Sequence, residues 1–195
     1  MSGLLNGALL CAALAGTVRP ADLAAQLDGA IPSMPLASGK LSFDGHASVG
    51  DFTGATTTVT GEMTGGENLA AVRGWVESPV KTLDSGNGKR DRDLNKSMES
   101  NKYPTMRFEL AGVKPESAGG DTAAVQLQGK LTLHGVTRDV TLPGQVWKDG
   151  PDLRLRSDFP LNLGDYKIGG LTKLLGMLRM HEGIEVHVDL TFGQH

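Results

Sequence analysis

This chain predicts an all-β fold: an antiparallel eight-stranded barrel with one or two short helices at its ends. Three observations carry that expectation. Apolar and polar residues alternate with period two through most of the chain, the pattern of strands with one buried face. Glycine is abundant, at 27 residues, while aromatics make up 5%. That mix suits many short strands joined by turns and argues against a helical bundle. Strands and helices do not alternate as a parallel sheet requires, so the roughly eight strand-like segments read as a meander that closes on itself.

In order along the chain, Ala8-Leu9-Leu10-Cys11-Ala12-Ala13-Leu14-Ala15 resembles a secretory h-region with a small-x-small cleavage site, although no Lys or Arg precedes it. Residues 1–15 are therefore expected to be a signal peptide, with an unstructured start as the alternative. Residues 16–38 read as a linker and residues 39–193 as the barrel domain. No stretch is long and apolar enough to span a bilayer as a helix.

The strand rhythm opens with Leu41, Phe43, Ala47 and Val49 on one face and Ser42, Asp44, His46 and Ser48 on the other. Asp51-Phe52-Thr53-Gly54 reads as a turn, and the β-branched run from Thr56 to Thr60 as a strand. Val72, Gly74 and Val76 form an inner face opposite Arg73, Trp75 and Glu77. Leu94 and Met98 then stand four apart, fitting one or two helical turns with a single apolar edge. Asp91 or Asp93 is placed to serve that helix's N-terminus. Met106, Phe108 and Leu110 face in, as do Leu127, Leu131 and Leu133, and Val140 and Leu142 beyond a His134-Gly135 corner. Leu153, Leu155, Phe159 and Leu161 keep one parity. Leu171, Leu174, Leu175 and Leu178, flanked by Met177 and Met180, follow helical spacing. Ile184, Val186, Val188, Leu190 and Phe192 make the cleanest strand.

A formal charge of −3 argues against a globally basic nucleic-acid binder. No Gly-x-Ser-x-Gly elbow, phosphate-cradling loop or paired histidine spacing is present, so neither an enzyme nor a metal or other cofactor site is expected.

The segments Lys102-Tyr103-Pro104-Thr105-Met106-Arg107-Phe108 and Gly129-Lys130-Leu131-Thr132-Leu133-His134-Gly135-Val136-Thr137-Arg138-Asp139-Val140 resemble the YceI-like family of bacterial envelope proteins. Arg90-Asp91-Arg92-Asp93-Leu94 and Arg156-Ser157-Asp158-Phe159 add to the likeness, which covers roughly residues 40–193. Pro160 stands where the family often has glycine. The resemblance implies a lipocalin-like barrel that binds polyisoprenoid or similar long-chain amphiphiles, in the periplasm or secreted.

The implied ligand-binding residues are the inward set Phe43, Val49, Val76, Met106, Phe108, Leu110, Leu131, Leu133, Phe159, Val186 and Val188, with Leu174 and Met177 from the helical segment. Each taken singly reads better as ordinary core, and the ligand reading applies to the set. Arg90 and Arg92 are candidates for a charged head group, against a reading as solvated surface charge. The expected partner is a long-chain lipid or isoprenoid; a homodimer is left open. A ligandless adaptor acting through its outer surface near Trp75 is the alternative, and turnover of a bound lipid is the third.

Overall fold

The structure is a computed structural model that describes residues 30–48, 50–119, 122–169 and 180–193. Its strands are β1 (Met34–Ala47), β2 (Gly50–Thr56), β3 (Thr60–Thr64), β4 (Arg73–Pro79), β5 (Thr105–Gly119), β6 (Thr122–Leu133), β7 (Val136–Asp149), β8 (Asp152–Asn162) and β9 (Met180–Phe192). One α-helix, α1 (Gly88–Ser97), lies between β4 and β5. All neighbours pair antiparallel, and β1 pairs with β9 to close the cylinder.

Nine segments fill eight positions. β2 and β3 lie along the same edge of β1, with Leu41 opposite Thr56 and Met34 opposite Met63. The run from Thr56 to Thr60 is therefore a break rather than a strand. Side chains take over the ladder bonds there: Thr56 Oγ1 accepts from Thr58 N at 3.0 Å, and Ser78 Oγ donates to Thr58 O at 2.8 Å. The expected turn at Asp51-Phe52-Thr53-Gly54 is likewise overturned, since all four residues lie inside β2. Gly54 is there for room, because a Cβ would come within 2.5 Å of the Phe43 ring. The sheet also starts earlier than expected, at Met34 inside the proposed linker, where Leu36 pairs with Phe192.

The β6–β7 corner is a two-residue turn with His134 at φ 51° and Gly135 at φ 71°, the type I′ geometry that matches strand twist. Tyr103 packs on it, 4.7 Å from the His134 ring and directly over Gly135, where any side chain would collide. The two stretches that carry the family resemblance thus meet in space.

Helix α1 is capped by Asn87, whose side chain accepts from Lys89 N and Arg90 N at 3.0 and 3.2 Å. Asp91 stands in the helix's first turn, where a carboxylate suits the positive end, and its Oδ1 accepts from the N–H and hydroxyl of Ser85 at 3.0 and 2.6 Å.

The hydrophobic interior divides into two packed zones. A floor contains Met63, Val72, Val113, Val125, Leu127, Leu153, Leu190 and Phe192; a cap contains Phe43, Val80, Leu83, Leu94, Met98, Leu133, Tyr166, Ile168 and Ile184. Among the described residues no helix is long and apolar enough to cross a membrane.

Candidate ligand-binding cavity

Between floor and cap the inward side chains do not meet. Val76, Phe108, Leu110, Leu131, Leu155, Val186 and Val188 are only half-buried, although strand pairing turns them inward. The space they surround is a cavity of about 220 Å³. Glycine helps to keep it open. A Cβ on Gly129 would collide with the Glu109 carbonyl and strike the Phe108 ring at 2.7 Å, so only glycine leaves room for that ring beside β6. Gly61, opposite Val76, leaves no side chain there either.

The lining is almost wholly hydrocarbon. Ser97 and Ser157 touch it, but their hydroxyls donate elsewhere, to Gly169 O at 3.1 Å and Pro143 O at 2.6 Å. Glu62, Arg73, Glu77 and Arg107 also border it, with their polar ends engaged away from it. Arg107 reaches Glu77 and Glu109 at 2.9 and 3.1 Å, and Glu62 accepts from Trp75 Nε1 at 2.9 Å. Arg73 donates to the Ala70 and Val72 carbonyls. Such a space excludes water and offers dispersion contacts, not directional bonds.

Of the residues singled out in the sequence, Phe43, Val76, Met106, Phe108 and Leu110 line the cavity, and so do Leu131, Leu133, Phe159, Val186 and Val188. Val49, Leu174 and Met177 lie outside the described residues, as does the helical pattern at 171–178. Leu41, Leu142 and Leu161, whose inward parity is legible in the sequence but which stood outside the candidate ligand set, also line it, and so do Leu94 and Met98, which close one end of the cavity. The inward parity of Leu94 and Met98 was legible; that they would face a lumen was not.

Arg90 and Arg92 do not line the cavity. Arg90 stacks on the Phe52 ring at 4.4 Å, at the edge of the cap. Arg92 points the other way, into a shallow depression with Lys81 and Lys96.

One side of the cylinder is unzipped. The β7–β8 ladder runs from Asp149 opposite Asp152 to Gln145 opposite Arg156 and stops. Pro143 sits just beyond, with no N–H to give, and its carbonyl is met by the Ser157 hydroxyl. Leu142, Ser157, Phe159 and Leu161 border the cavity along this seam.

The outer wall carries a chain of side chains across four strands. Thr53 donates to Asp44 at 2.5 Å; His187 touches Asp44 through Nε2 at 3.2 Å and Asp158 through Nδ1 at 2.6 Å. Two carboxylates on two ring nitrogens suit an imidazolium, because a neutral ring has one N–H to donate. The bond to Asp158, then that to Asp44, holds the His187 pKa above its ordinary value despite some desolvation. The Thr53 hydroxyl and then His187 hold the Asp44 carboxyl below its own. Among the described residues no group of three His, Cys, Asp or Glu side chains is placed to hold a metal.

Residues 35–192 match the model of the YceI-like domain. Proteins of Pseudomonas aeruginosa described as UPF0312 are 33% identical over 88 residues, 44% of this chain and 44% of theirs, so the match spans less than half of those relatives. A Vibrio vulnificus UPF0312 protein is 29% identical over 87 residues, 44% of each chain. Among solved structures, Burkholderia cenocepacia BcnA superposes with TM-score 0.66 at 18% identity, over 78% of this chain and 95% of that one. A polyisoprenoid binding domain from Saccharophagus degradans, implicated in plant cell wall breakdown, gives 0.67 at 13% identity, over 83% and 98%. At these identities the likeness is one of fold.

Proposed function

The chain belongs to the YceI-like domain family, and from that premise we propose that it binds one long-chain apolar or amphiphilic molecule inside its barrel and carries or stores it. The observation that supports this reading most is the hollow waist: inward hydrocarbon side chains left half-buried around a cavity of about 220 Å³. Such surface is costly against water and gains about 0.8 kcal/mol for each ligand methylene it takes from solvent. The ligand class is polyisoprenoid, quinone-like or fatty-acid-derived; the polyisoprenoid binding domain of Saccharophagus degradans shares the fold. The residues holding the chain are the waist side chains of β4, β5, β6, β8 and β9.

The reading is one of binding with no bond broken, since the polar groups beside the cavity are turned to partners outside it. Arg90, at the rim over Phe52, is the better placed of the two arginines to meet a charged head group. The setting is the bacterial periplasm or the outside of the cell. The adaptor alternative draws less support, because Trp75 is tied down by Glu62 and by Arg107, stacked on its ring at 4.4 Å.

Organic extraction of protein purified from a bacterial host, followed by mass spectrometry of the extract, tests the carrier reading. A long-chain lipid near one per chain supports it. An empty protein that also takes up no added polyprenol would sink it.

A further inference from the structure

The cap of the barrel has two faces of opposite character. Toward the cavity α1 presents Leu94 and Met98. Two residues before and after Leu94, on the opposite side of the helix, stand Arg92 and Lys96, both exposed. With Lys81 from the turn after β4 they line a shallow depression completed by Asn95, Ser100 and Asn101; no acidic side chain lines it. Lys89, on the same helix, adds exposed charge.

Three of the four acids of this segment are engaged by other groups. Asp91 is taken up by Ser85, Asp84 accepts from Gly86 N at 2.7 Å, and Glu99 stands 3.6 Å from Lys102. Residues 80–104 contain six basic side chains against four acidic ones, within a chain of formal charge −3. The molecule is thus polarised, with a cationic cap on an acidic body, and an anionic plane attracts the first while repelling the second.

We propose that the outer face of the cap, centred on Lys81, Arg92 and Lys96, is a docking surface for an anionic lipid bilayer. This inference rests on the carrier reading and names the surface from which the chain is collected or to which it is delivered. Charge complementarity chooses the occupant: a cluster of exposed Lys and Arg is attracted to acidic head groups within a Debye length. Docked this way, the protein turns toward the membrane the end of the cavity that α1 closes.

The test is co-flotation of the full chain with vesicles of phosphatidylcholine and phosphatidylglycerol in a 3:1 ratio, compared with pure phosphatidylcholine. At low salt we expect roughly tenfold more protein on the anionic vesicles, with the excess lost at 0.5 M salt. The K81E/R92E/K96E variant abolishes the excess, while a reversal on the barrel wall, Lys148→Glu, keeps it. Neutralising Lys81, Arg92 and Lys96 singly to glutamine gives graded losses should the triple variant fold poorly. Equal binding to both vesicles by the unaltered protein, or undiminished binding by the charge variants, overturns the proposal. Uptake of the neutral probe N-phenyl-1-naphthylamine without vesicles is measured in parallel. Its failure counts against the carrier reading, whereas intact uptake with no vesicle preference counts against docking alone.

Discussion

Floor and waist of this barrel are built from the same alternation, yet one is solid and the other hollow. At the floor, Val125 is wholly buried, and Leu127, Leu190 and Phe192 nearly so. At the waist, Val76, Leu110 and Val188 hold the same parity on neighbouring stretches of strand and stay half-buried. Parity decides which way a side chain points; bulk and glycine placement decide whether opposite walls touch. Val113 and Leu127 stand side by side on β5 and β6 in the floor, whereas one step up Leu110 stands beside Gly129. That exchange of leucine for hydrogen thins the wall where the packed floor gives way to the cavity.

The contrast is open to mutation. The largest effect belongs to Val125→Asp, which buries a carboxylate with no partner in the solid zone. It should cost at least 3–5 kcal/mol, on the order found for uncompensated buried charges, and urea unfolding reads it directly. Leu127→Ala comes next, at about 2–5 kcal/mol, because that side chain is almost wholly buried where the floor closes the cavity. The same truncation at Leu110 should cost about half of that or less, since part of its surface already faces open space. Equal losses at the two leucines would mean that the waist is as well packed as the floor.

The faces of the strands were legible in the sequence because a strand's side-chain period is two and admits no drift. β9 displays this most plainly, with Ile184 to Phe192 inward and Glu185 to Thr191 outward. What misled was glycine and threonine. Gly54 looks like a turn former, but lies in mid-strand to make room for Phe43. The threonine run looks like strand, but its hydroxyls draw the backbone out of the ladder. Met34 to Ser38 lacks alternation because Pro35 and the small residues carry little signal, and only pairing with Phe192 and Met63 makes it a strand. Hollowness was invisible from one strand, since it depends on which residue stands across the lumen.

The smallest effect concerns the outer wall, where no interior is at stake. His187 has a raised pKa in the folded protein, so its contribution to stability is full below about pH 6.5, the unfolded value, and fades as pH rises through the folded one. Asp44, with a lowered pKa, contributes above about pH 3.8 and loses that as pH falls through its folded value. The clasp therefore works best between those limits. Thermal unfolding should show a small decline in stability from pH 6 to pH 8, and His187→Asn should shrink it to the part due to His46, whose pKa Asp51 also raises. An undiminished decline in the variant would assign the effect elsewhere.

The most direct test of the hollow waist is titration with N-phenyl-1-naphthylamine, then displacement by a long-chain polyprenol, on the unaltered chain and on Leu110→Trp. Indole in place of the leucine side chain fills part of the lumen from the wall beside Gly129, so stability should change by about 1–3 kcal/mol. A hollow waist gives saturable uptake near one probe per chain, displacement by the polyprenol, and loss of both in a folded Leu110→Trp protein. No uptake by the unaltered chain, or equal uptake by the filled variant, would contradict it.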